Sequence, residues 1–313
     1  MAIEKTHQSE LERLAALQEK ARMGGGAKAI EKRHAAGKLT ARERIDKLFD
    51  EGSFVELNGL AESQCRDFGM QEKKVPGDGV VTGYGTVDGR LVFAYAQDAT
   101  VLGGSVGTLH GKKICFLMDE AFKMRAPMVG LNDSGGGRLN EGFFASEGVA
   151  GMFFRNTAAS GVIPQISAMM GSCAGVAVYS PAITDFIIMV EEKSHMVITG
   201  PAVIKSVTGE EVSMEELGGA RVHSRKSGTA HFTAKDDASC IELVRKLLSY
   251  LPANCDEAPP EVECSDDPDR TDDTLMDVVP PDFRKAYDMR DVILRVVDNA
   301  DFFEVLPHFA TSI

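Results

Sequence analysis

Two glycine-rich turns carry the residues of this chain best suited to chemistry, and that chemistry is the holding of an anionic oxygen. The first lies in A-P-M-V-G-L-N-D-S-G-G-G-R-L-N-E-G, residues 126–142. The second lies in I-P-Q-I-S-A-M-M-G-S-C-A-G-V-A-V-Y-S-P-A-I-T-D-F, residues 163–186. Each follows an apolar strand pattern and opens into a helix pattern. A strand that ends in glycine and enters a helix leaves several backbone N–H groups unpaired at one point, where the helix dipole adds positive potential. Two such turns point to an enzyme that stabilises negative charge with its backbone, not to one built around a reactive side chain. A third glycine turn, Gly103, Gly104 and Ser105, is read either as tight packing or as pocket lining.

One competing chemistry is written in the same residues. Gly171-Ser172-Cys173-Ala174-Gly175 satisfies G-x-C-x-G, a cysteine form of the nucleophile elbow. A thiolate hydrolase would need an acid and a histidine downstream, such as Asp185 with His195, His223 or His231. The plainer reading makes Cys173 a small buried filler at the strand–helix turn and His195 a structural residue.

The elements that must position these turns are legible from periodicity. Residues 79–87 and 91–97 read as strands around Asp88-Gly89, a strong hairpin signal. A helix runs through His110, Ile114 and Met118, and further strands are expected at 129–131, 166–170 and 186–190. Strands separated by helices of this length read as repeated ββα or βαβ units with buried, near-parallel strands. Residues 241–250 form an amphipathic helix, and residues 1–50 read as a peripheral helical region. Thr40 with Glu43 makes a capping box there. Its cations (Lys20, Arg22, Lys28, Lys32, Arg33, Lys38, Arg42 and Arg44) suit a solvated face, or alternatively a polyphosphate contact.

Composition narrows the function classes. The 313 residues carry a net charge of −13, which argues against nucleic acid or an anionic membrane surface as the main partner. The six cysteines are scattered without a C-x-x-C pair, so neither a zinc site nor a disulfide framework is expected, and no metal is assigned. Met1 leads into polar, charged residues, so no secretory leader is read, and no apolar run nears the ~20 residues of a membrane span. The expectation is a soluble, cytoplasmic protein.

The far end of the chain repeats its beginning. Residues 253–284 are rich in Pro, Asp and Glu and read as a linker after a domain at 51–252. Beyond it, Arg290, Ile293, Asp298, Phe302 and Glu304 match Arg42, Ile45, Asp50, Phe54 and Glu56 at one fixed offset. Residues 285–313 therefore read as the opening stub of a second domain.

The motifs, in order, resemble those of the biotin-dependent acyl-CoA carboxyltransferases. The family includes propionyl-CoA carboxylase β subunits, the transcarboxylase large subunit and the α subunits of sodium-pumping methylmalonyl-CoA decarboxylases. G-K-L-T-A-R-E-R-I (37–45), V-P-G-D-G-V-V-T-G-Y-G (75–85), Q-D-A-T-V-L-G-G-S (97–105) and N-D-S-G-G-G-R (132–138) carry the likeness. It continues through S-P-A-I-T-D-F (180–186), H-M-V-I-T-G-P-A-V-I-K-S-V-T-G-E (195–210), E-E-L-G-G-A (215–220) and L-L-S-Y-L-P (247–252).

The resemblance implies an α/β, crotonase-like spiral of ββα units with peripheral amino-terminal helices. It also implies large oligomers with acyl-CoA on the amino-terminal domain. Biotin would arrive on a separate carrier protein and sit mainly on a neighbour's carboxy-terminal domain. A membrane subunit would be a partner only in a decarboxylase. In such chemistry carboxybiotin releases carbon dioxide, the biotin ureido nitrogen takes the α-proton, and backbone N–H donors hold the enolate. By position, the family's oxyanion hole falls on the N–H groups of Gly175 and Val176, with Gly136 and Gly137 nearby. Gly103, Gly104, Ser105, Ser134, Arg138 and Ala174 are the corresponding CoA- or acyl-binding candidates, Arg138 pairing either with a CoA phosphate or with Glu141.

Two departures matter. The common G-P-C-A-G-G-A is G-S-C-A-G-V-A here, placing Val176 where a glycine is usual, and S-G-G-A-R-I-Q-E-G is S-G-G-G-R-L-N-E-G. The expectation is an acyl-CoA-binding half of a carboxyltransferase, inactive toward biotin by itself; a non-catalytic acyl-CoA-binding or assembly subunit is the alternative.

Overall fold

The computed structural model describes residues 7–311; the amino-terminal reading at Met1 lies outside them. Three helices open the chain: α1 (His7–Met23), α2 (Ala27–Ala35) and α3 (Ala41–Leu48). The first two are peripheral, burying only Ala21 between them. By contrast, α3 belongs to the core. It starts at the expected capping box, in which the Thr40 side chain accepts from the Glu43 N–H and Glu43 accepts from the Thr40 N–H. Its stripe of Ala41, Arg44, Ile45 and Leu48 is buried.

A seven-stranded sheet follows. Strands β1 (Val55–Glu56), β2 (Val80–Val87) and β3 (Arg90–Gln97) are antiparallel. The turn between β2 and β3 is Asp88-Gly89, both residues at positive φ (50° and 77°), as a two-residue hairpin that follows strand twist requires. Helix α4 (Thr108–Met124) then crosses from β3 to the parallel strand β4 (Met128–Asn132), and α5 (Ala145–Ala159) crosses from β4 to the parallel strand β5 (Gln165–Met169).

After β5 the chain leaves the main sheet. Strand β6 (Ser172–Ala174) leads into the single-turn α6 (Val176–Tyr179), and the chain returns to the sheet as β7 (Phe186–Val190). Strand β8 (His195–Val197) pairs in parallel with β6 in a separate two-stranded layer. Short helices α7 (Pro201–Thr208), α8 (Met214–Gly218) and α9 (Ala220–Val222) precede β9 (Phe232–Ala234), which completes the sheet order β1-β2-β3-β4-β5-β7-β9. Helix α10 (Asp237–Tyr250) packs back across it.

Alternation along the strands explains the layers. Val92, Ala94 and Ala96 of β3 join α3 and α10 in one core, whereas Phe93 and Tyr95 join α4 and α5 in the other. Successive side chains of a strand point to opposite faces, so a sheet covered on both sides must be apolar at every position. A third, smaller cluster (Met169, Cys173, Ala177, Val178 and Met196 among its members) lies under the β6–β8 layer.

Between 253 and 284 only Asn254 is buried, and α11 (Leu275–Val278) is the sole helix. Helix α12 (Met289–Val296) then has the bounds that the internal repeat assigns from α3. The likeness extends to an ion pair: Arg42 clasps Glu56 at 2.9 and 3.0 Å, and Arg290 clasps Glu304 at 2.8 and 3.0 Å. The difference is burial, since no residue of α12 is buried. Its segment rests on the main domain through Phe303, stacked on Phe232 with ring centroids 4.6 Å apart. No helix among the described residues is long and apolar enough to cross a membrane.

Candidate active site

The two glycine turns meet. Gly136 packs so closely that an added Cβ would lie 2.8 Å from the carbonyl oxygen of Ala174, and one on Gly137 would lie 3.4 Å from Val176 Cγ2. The third turn is laced to the first: the Gly135 N–H donates to the Gly103 carbonyl at 2.9 Å, and the Val106 N–H to the Gly136 carbonyl at 2.8 Å. Gly104 admits no side chain, because an added Cβ would lie 2.3 Å from the Asp133 carbonyl oxygen. Tight packing thus accounts for Gly104, whereas at Gly103 an added Cβ would meet nothing within 4 Å and the positive φ of 64° is what favours glycine. The Ser105 carbonyl and hydroxyl accept from Arg138.

The backbone donors divide in a way the sequence did not foretell. The Gly175 N–H is spent on the Val197 carbonyl at 3.0 Å, through the pairing of β6 with β8, and the Gly136 N–H reaches the buried Ser134 hydroxyl at 3.3 Å. Among the described residues, the N–H groups of Gly137 and Val176 have no protein acceptor. Gly175, at φ 56° and ψ −126°, makes the bend that sets Val176 as the first residue of α6. Val176 itself is absent from the positive-φ residues, so its branched side chain carries no backbone strain. The helix dipole expected at each turn is reduced, since α6 is a single turn and the first turn enters a 3-10 segment. The donors act as individual N–H groups.

A buried ionic cluster fastens both turns. Asp133, at the head of the first, accepts from Arg33 at 2.5 Å and from Arg44 at 3.1 Å. The fully buried Arg44 also reaches Asp237 at 2.8 Å and the Met170 carbonyl, just before the second turn, at 3.1 Å. Gly171 lies directly under the Asp133 carboxylate: an added Cβ would meet its Oδ1 at 1.9 Å. The amino-terminal cations therefore split into two groups. Lys20, Arg22, Lys28 and Lys32 are exposed, whereas Arg33, Arg42 and Arg44 are ion-paired within the fold and the half-buried Lys38 donates to the Lys193 carbonyl at 3.0 Å. The cluster was missed in sequence, although Arg44 sits on the apolar stripe of α3, the one signal that could have found it.

Arg138 is likewise turned inward. Its side chain is 3% exposed and bonds Asp78 at 2.6 Å and Glu141 at 2.9 Å. Of the two roles expected for it, the ion pair with Glu141 is the one formed, and its guanidinium is not presented to a phosphate. Cys173 is fully buried, and burial pushes its thiol up to about 12. None of the three histidines bonds to it. His223 meets the Met196 carbonyl, His231 accepts from the Ile187 N–H, and His195 pairs with Ser172. The cysteine elbow is therefore a buried strand residue, as the plainer reading had it.

His110, buried in α4, supports the first turn through Gln97. Its Nδ1 donates to the Asp78 carbonyl and its Nε2 accepts from Gln97, whose Oε1 accepts from the Asp133 N–H. Burial, with Arg138 nearby, lowers its pKa to about 3. The folded imidazole therefore refuses a proton that the unfolded chain takes below pH ~6.5. Stability is unaffected above that pH and falls on acidification toward pH 3, by up to about 1.4 kcal/mol per pH unit from this group. Urea midpoints between pH 7 and pH 4 should show a shallower slope in His110→Asn; an unchanged slope would refute this assignment.

Comparison with known proteins agrees with this architecture. Residues 32–313 match the family model described as the carboxyl transferase domain. The chain is 55% identical over 308 residues to the methylmalonyl-CoA decarboxylase subunit alpha of Veillonella parvula, covering 98% of this chain and 60% of that one. Against the mitochondrial propionyl-CoA carboxylase beta chain of Homo sapiens the identity is 50% over 293 residues, or 93% and 54% of the two chains. Transcarboxylase 12S, solved as a hexamer assembly with methylmalonyl-coenzyme A and methylmalonic acid bound, superposes with a TM-score of 0.96 at 46% identity. That match covers 99% of this chain and 60% of that one.

The chain therefore belongs to the carboxyl transferase family. Its fold is the crotonase-like one that the motifs implied, and it spans between 54% and 60% of the length of these relatives.

Proposed function

We propose that this chain supplies the acyl-CoA-binding half of a biotin-dependent carboxyltransferase acting on short-chain thioesters of the propionyl-CoA and methylmalonyl-CoA class. The observation that carries the proposal is the meeting of two glycine turns with unpartnered N–H groups on Gly137 and Val176. Donors fixed before the reaction cost no reorganisation as charge develops on a thioester oxygen, and removing one such donor typically costs about 10²- to 10³-fold in rate. Gly136, Gly175, Ser134 and Ala174 shape the turns around that pair, and Arg138 braces them through Ser105.

Carboxybiotin, on its carrier, would supply the carboxyl group and the proton acceptor. The donors of the two turns fit a single anionic oxygen rather than a bicyclic urea. We therefore assign biotin contacts to a second carboxyltransferase domain or subunit and route no step through biotin here. The exposed α12, lining a groove of about 760 Å³ with Phe302, Leu306 and Phe309, is where such a domain would continue. The proposal covers both carboxylation and decarboxylation.

Calorimetric titration with propionyl-CoA, methylmalonyl-CoA, free CoA and biotin tests it. Binding of the thioesters without biotin is expected; a well-folded chain that binds no CoA species refutes the reading. Val176→Pro is the sharper probe. Proline is tolerated at the first position of a helix but has no N–H. In enzyme reassembled with a biotin carrier and a carboxy-terminal half, this variant should lose about 10²- to 10³-fold in turnover while thioester affinity stays within about threefold. Full turnover by the variant would remove Val176 from the site.

A further inference from the structure

A second set of functional groups sits on the turn that carries Val176, and the carboxyl-transfer reading makes no use of it. Ser172 is exposed at the start of β6, with its Oγ 2.8 Å from His195 Nδ1 on the paired strand β8. On the other side of the ring, His195 Nε2 lies 3.3 Å from Glu215 Oε2 of α8. Among the described residues His195 is the only partner of the Glu215 carboxylate, whose other oxygen is buried without a hydrogen bond. The carboxylate packs directly against Gly219, where an added Cβ would lie 2.3 Å from Glu215 Oε1. Ser172 stands where the sequence pattern common to the family has proline, so the hydroxyl is a property of this chain.

We propose that Ser172, His195 and Glu215 form a nucleophile–base–carboxylate relay that hydrolyses acyl thioesters at the rim of the glycine turns. The proposal rests on the acyl-CoA reading for its substrate, but not for its chemistry. Glu215 facing Nε2 fixes the tautomer in which Nε2 carries the proton and Nδ1 accepts from the serine, the arrangement a general base needs. Half-burial lowers the basicity of the imidazole, opposed by Glu215 and reinforced by Lys38, so the ring is neutral and ready to accept a proton near pH 7.

Ser172 and Ala174 share one face of β6, about 7 Å apart along the strand. The Ala174 carbonyl abuts Gly136, which sets Ser172 two residues along the same strand from the place where the glycine turns meet.

The steps balance with water alone. Ser172 Oγ bonds to the acyl carbon as the carbon–sulfur bond breaks. The serine proton passes to His195 Nδ1 and then to the departing thiolate, giving free CoA. Water then attacks the acyl-serine, gives its proton to His195, and releases the carboxylic acid as the proton returns to Ser172.

The test uses the whole chain without a biotin carrier. A fluorophosphonate probe is applied and mapped by peptide mass, and CoA release from propionyl-CoA is followed by chromatography, which avoids the exposed cysteines. Wild type should carry the label on Ser172 and release CoA. Ser172→Ala, an exposed change that leaves the core untouched, should lose the label and at least about 100-fold of the hydrolysis, as should His195→Gln. Glu215→Gln should keep the label while shifting the pH dependence of hydrolysis.

A label on another residue, or Ser172→Ala hydrolysing at the wild-type rate, overturns the proposal. Calorimetry separates the two readings. Thioester binding without hydrolysis or label defeats the relay and leaves the carboxyltransferase assignment intact. Loss of p-nitrophenyl propionate hydrolysis in Ser172→Ala supports the relay even in a chain that binds no CoA.

Discussion

Gly171→Ala is expected to destabilise the protein by about 3–5 kcal/mol and to abolish thioester binding, although it adds a single methyl group. That methyl would lie 1.9 Å from Asp133 Oδ1 and 2.2 Å from its Cγ, so one of the two turns must move. A clash with the tip of a long, free side chain is relieved cheaply. Asp133 has no such freedom, because its side chain is short, 8% exposed and held by Arg33 and Arg44. Displacing it breaks two charge-assisted bonds inside the fold and pushes the first turn away from the second. Thermal unfolding would show a drop of about 10 °C for a domain of this size. Gly200→Ala is the control: nothing lies within 4 Å of its added Cβ, and a change within about 1 kcal/mol is expected. Equal stability of the two variants would mean that Asp133 does not bear on Gly171.

The second large effect is expected at Arg44. Replacing it with methionine keeps much of the stem and removes the charge, leaving the carboxylates of Asp133 and Asp237 buried without their shared cation. Breaking a buried pair from one side costs about 3–5 kcal/mol, because the desolvated partner remains. Arg33 still reaches Asp133, whereas among the described residues Asp237 keeps only the Leu39 N–H at 3.0 Å, so most of the penalty should fall on Asp237. Arg44→Met combined with Asp237→Asn should therefore recover a substantial part of the lost stability, measured as a double-mutant cycle in urea. Additive effects of the two substitutions would show that the pair is not coupled.

What could be read from sequence was what neighbouring residues decide. The Asp88-Gly89 hairpin, the Thr40–Glu43 capping box, the strand at 186–190 and the repeat of residues 42–56 at 290–304 are each set within a short stretch of chain. What could not be read depends on partners far along it. Strand β6 is three residues long, too short for any periodicity, and exists through pairing with β8 some twenty residues later. That pairing takes the Gly175 N–H, so the family's donor pair could be assigned by position while its free members could not. Arg138 and Arg44 looked like available cations, and only tertiary structure shows their partners on other elements.

The cluster around Asp133 has a consequence for how the site comes into being. Its members are contributed by positions 33, 44, 133, 170 and 237, contacts that span most of the domain's length. Contacts of such separation form late, after the chain entropy of closing long loops has been overcome. The geometry of the donors is thus tied to global folding rather than to any one hairpin or helix pair. In hydrogen exchange, the amides of Arg138 and Met170, bonded to the Val106 and Asn132 carbonyls, should open only with the most protected unit, and a half-folded chain should offer no partial site to a reactive thioester.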